Sequence, residues 1–209
     1  MIPTVNFALE REERIRGFVL QNPYSSTTLI HQHFFPSAYG SKKAREVLTR
    51  MVKVRKTLNR FRYGYEYLYH IGKRSSQWLH MHDVTMFHFD LQSQLKGTQR
   101  ITYHKREYEY HGGRADGLYI IIDDKGNGVK FFLEMDDMQN EFDKIAKYEE
   151  YFRSRAWERE VWADPLKKGV PRFPTILIVT NREISRSDKL RVITCTKKSN
   201  YMEAVMYEK

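Results

Sequence analysis

The first third of the chain carries apolar residues at helical spacing, interrupted by short polar breaks. Residues 9–21 place three apolar side chains among charges at positions i, i+3 and i+4: Ile15, Phe18 and Val19. The pair Asn22-Pro23 ends this pattern. A second pattern, residues 29–34, follows Ser25 and Ser26, either of which suits an N-cap, and stops before Pro36. The spacing predicts two amphipathic helices in succession.

A third helical pattern begins at Ser41, which we expect to cap it. Its apolar positions recur at helical spacing: Ala44, Val47, Leu48 and Met51. Its polar positions are mostly basic: Lys42, Lys43, Arg45, Thr49, Arg50 and Lys53. One side of this helix should therefore pack, and the other should be cationic.

Two β-rich runs, residues 57–62 and 65–71, follow this helix and are joined around Tyr63-Gly64, which predicts a hairpin. Three helices and a hairpin are the order of a winged helix. In that architecture the third helix enters the major groove and the hairpin, or wing, lies along the backbone or minor groove. We expect three wing contacts with DNA: Arg60, Arg62 and Tyr63.

The distribution of charge supports this interpretation. The net charge of the 209 residues is +10, and residues 1–99 hold 15 Lys and Arg against 7 Asp and Glu, whereas residues 100–209 hold 21 against 19. Residues 41–62 alone carry nine bases and one acid. A basic excess concentrated on two elements favours double-stranded DNA as partner. The alternative left open is a protein-interaction module with a solvated basic face.

Several function classes are disfavoured by what the chain contains. No stretch has the roughly 18 apolar residues of a membrane span, and the first residues lack the layout of a signal peptide, so we expect a cytoplasmic protein without a membrane partner. Cys195 is the only cysteine, which excludes an internal disulfide and a multi-cysteine zinc site, and we expect it to be a small buried residue. His80, His82 and His88 lack the spacing near four that helical metal ligands need.

The remaining patterns predict a helical connector and a sheet. Residues 75–95 read as a helix that breaks near residues 81–83, and β-compatible runs follow at residues 100–110, 118–122 and 129–135. A helix over residues 140–157, a buried central strand over 175–180 and a further helix from 185 to 191 complete the pattern. The order predicts an α+β fold in which a mixed sheet is flanked by helices.

Carboxylates mark the ends of two predicted strands. Asp116 begins one strand, and antiparallel pairing about the turn at residues 123–128 should bring it close to Glu134 and Asp136. Because side chains alternate along a strand, we expect Glu134 and Asp136 to share a face. Clustered acids of this kind could hold a hard cation, with Glu107 or Glu109 as an added ligand. Alternatively Asp116 caps a turn, and Glu134 and Asp136 form ion pairs with Arg114, Lys130 or Lys144 across the sheet.

An acid at one strand start followed by Glu-x-Lys at the next strand end is typical of the restriction-endonuclease-like fold. Asp116 with Glu134-Met135-Asp136 resembles that motif, although Asp136 stands where the motif has lysine. The chain more fully resembles the replication-relaxation-like proteins of plasmids and mobile elements, on residues 114–117, 133–136 and 144–148. The resemblance implies a winged-helix domain over residues 1–74, a helical connector over 75–98 and a restriction-endonuclease-like domain over 99–209.

The resemblance implies a DNA-binding accessory protein of plasmid or mobile-element replication, mobilisation or transcriptional control, with no resident cofactor. Its expected partners are double-stranded DNA, a second copy of the chain, and replication or mobilisation proteins. One alternative is an Mg²⁺- or Mn²⁺-dependent DNA endonuclease, in which Asp116, Glu134 and Asp136 hold the metal ion and Lys144 supplies the positive charge. Another is a dimeric transcriptional repressor.

Overall fold

The computed structural model describes residues 7–37, 39–138, 141–163 and 172–207. The chain divides into two compact units, residues 1–86 and residues 87–209. Both helices and sheets contribute to the fold, so the predicted α+β class is confirmed. In the described part of the chain, no helix is both long enough and apolar enough to cross a bilayer.

The first unit contains three helices and a small antiparallel sheet. Its elements are α1 (Phe7–Gln21), β1 (Ser25–Ser26), α2 (Thr27–Phe34), α3 (Gly40–Lys53), β2 (Asn59–Tyr63) and β3 (Glu66–His70). The strand order is β1-β3-β2, with both pairings antiparallel. The three predicted helices and the hairpin are present. The two-residue strand β1 was not predicted, because only its pairing with β3 distinguishes it from a turn.

The starts of α2 and α3 are set in different ways. The Ser26 hydroxyl accepts a hydrogen bond from the Leu29 amide at 3.1 Å, which is the N-cap that the sequence predicts. The expectation that Ser41 caps α3 is wrong, because this helix begins at Gly40, after Tyr39, without a side-chain cap. A Cβ on Gly40 would lie 1.8 Å from the Phe35 carbonyl oxygen, so only glycine permits this close approach of the two segments.

The core of the first unit is formed by the apolar faces of its three helices together with β3. It includes the four α3 positions that the sequence assigns to packing: Ala44, Val47, Leu48 and Met51. Ile15 and Val19 of α1 and Ile30 of α2 complete the interface between the helices. The polar stripe of α3 is thereby turned away from this core.

The helix α4 (Trp78–Gln94) begins in the first unit and ends in the second. It is continuous, so the break expected near residues 81–83 is wrong. Thr85, two residues beyond the expected break, shares its hydroxyl hydrogen between the carbonyls of Pro23 and Met81 within the first unit. These bonds satisfy the hydroxyl group without interrupting the helix.

The second unit is built on a five-stranded mixed sheet. Its further elements are β4 (Arg100–Tyr110), β5 (Gly113–Ile122), β6 (Gly128–Met135), α5 (Lys144–Ser154), β7 (Thr175–Val179), β8 (Val192–Cys195) and α6 (Tyr201–Tyr207), with short 3-10 turns at Ala156–Arg159 and Val161–Ala163. The strand order is β4-β5-β6-β7-β8. The first three strands pair antiparallel, and β6, β7 and β8 pair parallel. The predicted mixed sheet is therefore confirmed.

Three local expectations for this unit need correction. The helix predicted over residues 140–157 is shorter, because α5 covers only Lys144–Ser154; Asn140 lies outside the described residues. Residues 185–191 form a loop instead of a helix, because the Ser187 hydroxyl accepts from the amides of Lys189 and Leu190, at 3.1 Å each. Strand β8 and helix α6 were not predicted, and Cys195, at the end of β8, is only half-buried.

The topology brings polar side chains together at one edge of the sheet. Because β6 and β7 are parallel, their carboxyl ends meet at one edge, where β6 ends at Met135 beside Val179 of β7. Helix α5 begins after this edge at Lys144 and returns the chain toward the start of β7. Side chains at the carboxyl end of β6 and in the first turns of α5 therefore come together.

Candidate nucleic-acid interface and carboxylate cluster

The outer face of α3 carries a line of polar side chains that we call the α3 stripe: Lys42, Arg45, Thr49 and Lys53. At about 100° per residue these positions fall within roughly a quarter of the helix circumference, opposite the buried positions. The three cations of the stripe are exposed and Thr49 is half-buried. Among the described residues none of these cations has an acid within ion-pair distance, so their charge is available to a ligand.

The other two bases predicted on this face have partners within the protein. Arg50 Nη2 lies 2.5 Å and its Nε lies 2.7 Å from Oε1 of the buried Glu12, and Arg55 lies 3.7 Å from the second Glu12 oxygen. Arg50 thus fastens α3 to α1. Lys43 lies 3.7 Å from Glu46, and both side chains are exposed. Such a pair is weak, so a polyanion can take the place of Glu46 beside Lys43.

Each of the three predicted wing residues has a contact within the first unit. The Arg60 guanidinium lies 4.2 Å from the centre of the Tyr67 ring, and Arg62 Nε donates to the Gly64 carbonyl at 3.3 Å. The Tyr63 ring lies 5.0 Å from the Trp78 ring in an edge-on contact, which fixes the hairpin against the start of α4. Tyr63 is therefore a packing residue of the wing, although 45% of it is exposed.

Two further tyrosines of the wing were not singled out from the sequence. Tyr65, at the hairpin turn, is fully exposed, and Tyr67 is 40% exposed. The predicted hairpin could have identified Tyr67, because pairing about the turn places it opposite Arg62. They add aromatic surface beside Arg60 and Arg62.

The second unit contains what we call the carboxylate cluster: Asp116, Glu134, Lys144 and Tyr148. Glu134 is only 1% exposed, and its Oε1 accepts a hydrogen bond from the Tyr148 hydroxyl at 2.6 Å. Its Oε2 is bound by the Lys144 ammonium group. Asp116 Oδ2 accepts from the Met135 amide at 2.7 Å, and Asp116 Oδ1 lies 3.9 Å from Lys144 Nζ. Three of the four predicted site residues therefore come together.

Burial determines the protonation of the cluster. Removal of Glu134 from water, together with the nearby Asp116 carboxylate, raises the pKa of Glu134 to about 8 against the opposing effects of Lys144 and Tyr148. Burial lowers the pKa of Lys144, but the charges of Glu134 and Asp116 outweigh this and raise it. The charged form of Lys144 is therefore favoured, whereas the charged form of Glu134 is disfavoured by its burial.

The carboxylate of Asp136 has partners outside this cluster. Its carboxylate receives Arg182 Nη2 at 2.6 Å, Arg182 Nε at 2.8 Å and the Thr180 hydroxyl at 2.6 Å. Partial burial raises the pKa of Asp136, but the hydrogen bonds from Thr180 and Met138 and the charge of Arg182 lower it overall. Asp136 directly follows the end of β6, and its carboxylate is bound by two residues that follow β7, Thr180 and Arg182.

The carboxylate cluster does not fit a divalent cation. Among the residues that the structure describes, no group of three or more His, Cys, Asp or Glu is placed to hold a metal ion. Both oxygens of Glu134 are occupied by protein donors, and the ammonium of Lys144 supplies the positive charge there. Glu107 pairs with Arg114 at 3.5 Å, and Lys130 donates to the Trp162 carbonyl at 3.0 Å.

Comparisons with protein-family models, with curated proteins and with solved structures returned no match for this chain. The resemblance to replication-relaxation-like proteins therefore stays a prediction.

Proposed function

We propose that this protein binds double-stranded DNA through its first unit, with α3 in the major groove and the wing along the backbone or minor groove. The observation that carries the proposal is the α3 stripe, whose three cations have no acidic partner among the described residues and lie opposite a fully packed face. The order of elements, α1-β1-α2-α3-β2-β3 with β1 paired to β3, supports the winged-helix interpretation.

The charge available to DNA is limited to part of the basic segment. Arg50 is bound to Glu12, and Arg55 lies close to the same carboxylate. The residues that can reach phosphates are the three stripe cations, Lys43, and the wing residues Arg60 and Arg62. With about five phosphate contacts, the logarithm of affinity should fall with the logarithm of salt concentration with a slope of about −4.5.

The proposal is tested by fluorescence anisotropy with a labelled 20-base-pair duplex. The combined variant Lys42→Gln, Arg45→Gln, Lys53→Gln should weaken binding by at least tenfold at low salt, since it removes three contacts with phosphate or base edges. The matched control, Lys125→Gln, Arg186→Gln, Lys198→Gln, removes the same charge from exposed positions of the second unit. Equal loss in both variants would show that only net charge matters and would contradict the proposal.

On the resemblance to replication-relaxation-like proteins, we further propose that the bound DNA belongs to a plasmid or mobile element, where the protein assists replication, mobilisation or transcriptional control. A homodimer would allow two half-sites to be read. A footprint on the surrounding DNA tests the target, and light scattering coupled to size exclusion tests the dimer. A monomer on a single asymmetric site would contradict the dimer.

A second candidate function is a DNA endonuclease. It is favoured by the convergence of Asp116, Glu134 and Lys144 at the carboxyl end of a strand in a β-β-β-α-β sheet. The pairing of Asp136 with Arg182 and the poor fit to a metal ion count against it. Incubation with supercoiled plasmid and Mg²⁺ or Mn²⁺ separates the two functions. Nicking that is lost in Glu134→Gln and Asp116→Asn would replace the accessory role with catalysis.

A further inference from the structure

The second unit contains a cleft of about 620 Å³ with an aromatic floor. Its floor is formed by Phe152, Trp157 and Phe173, whose rings contact one another. The Phe173 ring meets Phe152 and Trp157 edge-on, with centroids 5.5 Å apart in each case. A volume of this size lies within the range of small-molecule sites in proteins.

The rim of the cleft is strongly basic. Five cations and a single acid line it: Arg153, Arg155, Arg172, Lys189, Arg191 and Glu158. Two acids pair with this rim: Arg155 Nε lies 2.9 Å from Glu158, and Lys189 lies 3.6 Å from Glu149 of α5, outside the lining. Five cations against these two acids leave the rim with an excess of positive charge.

The backbone around the cleft is fixed by hydrogen bonds. The Ile176 amide donates to the Arg191 carbonyl at 2.9 Å, which ties the segment before β8 to β7. The Ser187 hydroxyl holds the amides of Lys189 and Leu190. The rim is thus placed by the sheet and by its adjoining loop.

The cleft is distinct from the carboxylate cluster. Its lining residues lie at the end of α5 and just before β7 and β8, at the amino ends of the parallel strands. The carboxylate cluster lies at the carboxyl end of β6 and at the start of α5. Along α5, Lys144 of the cluster and Phe152 of the cleft are eight residues apart, which is about 12 Å.

We propose that this cleft binds a nucleoside phosphate, with its base against the aromatic floor and its phosphates on the arginine rim. An inorganic anion would need the cations but not the aromatic rings, and an uncharged apolar molecule would need the rings but not the cations. Guanidinium groups form paired hydrogen bonds with phosphate oxygens, and every nucleobase can stack on an aromatic side chain. The same chemistry is offered by a free nucleotide and by the phosphorylated end of a DNA strand.

Isothermal titration calorimetry of the full chain tests the proposal with four probes: ATP, adenosine, inorganic triphosphate, and a 5′-phosphorylated oligonucleotide of eight thymidines. We expect ATP to bind at least tenfold more tightly than either adenosine or inorganic triphosphate, because only ATP offers both a base and phosphates. Tighter binding of the oligonucleotide, with competition by ATP, identifies a strand end as the ligand. If ATP binds and the oligonucleotide does not compete with it, the ligand is a free nucleotide.

Variants separate the cleft from the DNA-binding face of the first unit. The double variant Arg172→Gln, Arg191→Gln should weaken ATP binding by at least tenfold while leaving duplex binding unchanged. Arg159→Gln, an exposed arginine outside the cleft, is the control and should bind ATP like the unaltered protein. The α3 stripe variant should bind the duplex at least tenfold more weakly and keep ATP binding. Equal affinity for ATP and inorganic triphosphate, absence of ATP binding, or equal losses in the double variant and the control would each overturn the proposal.

Discussion

The buried Glu134 makes the stability of the second unit depend on pH in a specific direction. The pKa of a glutamate in the unfolded chain is near 4.5, and in the folded protein that of Glu134 is about 8. Between these values the folded protein holds a proton that the unfolded chain has released. Stability from this group is therefore complete below the unfolded pKa and is lost as pH rises through the folded pKa.

The size of the effect follows from those two pKa values. Between pH 5.5 and 7.5 the free energy of unfolding should fall by about 2 to 3 kcal/mol from this group alone. Glu134 is 1% exposed, so solvent screening reduces the effect little. The variant Glu134→Gln keeps the shape of the side chain and cannot titrate, so it should lack this loss.

The assay is urea unfolding followed by the fluorescence of Trp157 and Trp162, which belong to the aromatic core of the second unit. The substitution Trp78→Phe in both proteins removes the tryptophan of α4. The difference in unfolding free energy between the two proteins should then shift by about 2 to 3 kcal/mol toward the glutamine variant as pH rises from 5.5 to 7.5. A difference that stays constant over this range would refute the assigned protonation of Glu134.

Three further predictions concern the close approach at Gly40, the ion pair of Arg50 and the buried ring of His104. Gly40→Ala should destabilise the first unit by about 2 kcal/mol or more, because the added Cβ would meet the Phe35 carbonyl oxygen. Gly17→Ala, with open space around it in α1, should stabilise the unit by about 1 kcal/mol. Equal thermal stabilities of the two variants would contradict the close approach at Gly40. Arg50→Met should lower the free energy of unfolding by about 2 kcal/mol, because it leaves the buried Glu12 without its main partner. In urea unfolding, adding Glu12→Gln to this variant should restore part of that free energy. Burial lowers the pKa of His104 to about 3, so the folded state favours the neutral ring and stability is lost as pH falls below 6.5. His104→Phe should reduce the decrease in unfolding free energy between pH 6.5 and 4.5 by about 2 kcal/mol. An unchanged acid transition would contradict the burial of that ring.

Local patterns were sufficient to predict α3 and the hairpin. The apolar spacing from Ala44 to Met51 determines which face of α3 is buried, and that fixes the outward direction of Lys42, Arg45 and Lys53. The turn at residues 123–128 similarly fixes the register of β5 and β6, which brings Asp116 beside Glu134. In each case the decisive information lies within about twenty residues.

Contacts between distant segments were not predictable in the same way. Arg50 is bound by Glu12, 38 residues earlier, and Asp136 is bound by Arg182, 46 residues later. Nothing in the local spacing of either residue indicates such a partner. The aromatic cleft likewise draws on α5 and on the segments before β7 and β8, so its lining is established only when the sheet has formed.

The central claim is that duplex DNA lies against the α3 stripe, and the salt dependence of duplex affinity tests it most directly. Anisotropy titrations from 50 to 300 mM salt should give a slope of about −4.5 for the unaltered protein and about −2 for the variant Lys42→Gln, Arg45→Gln, Lys53→Gln. The charge-matched variant of the second unit should keep the steeper slope. Equal slopes for the unaltered protein and the α3 variant, or affinity that does not change with salt, would contradict the account.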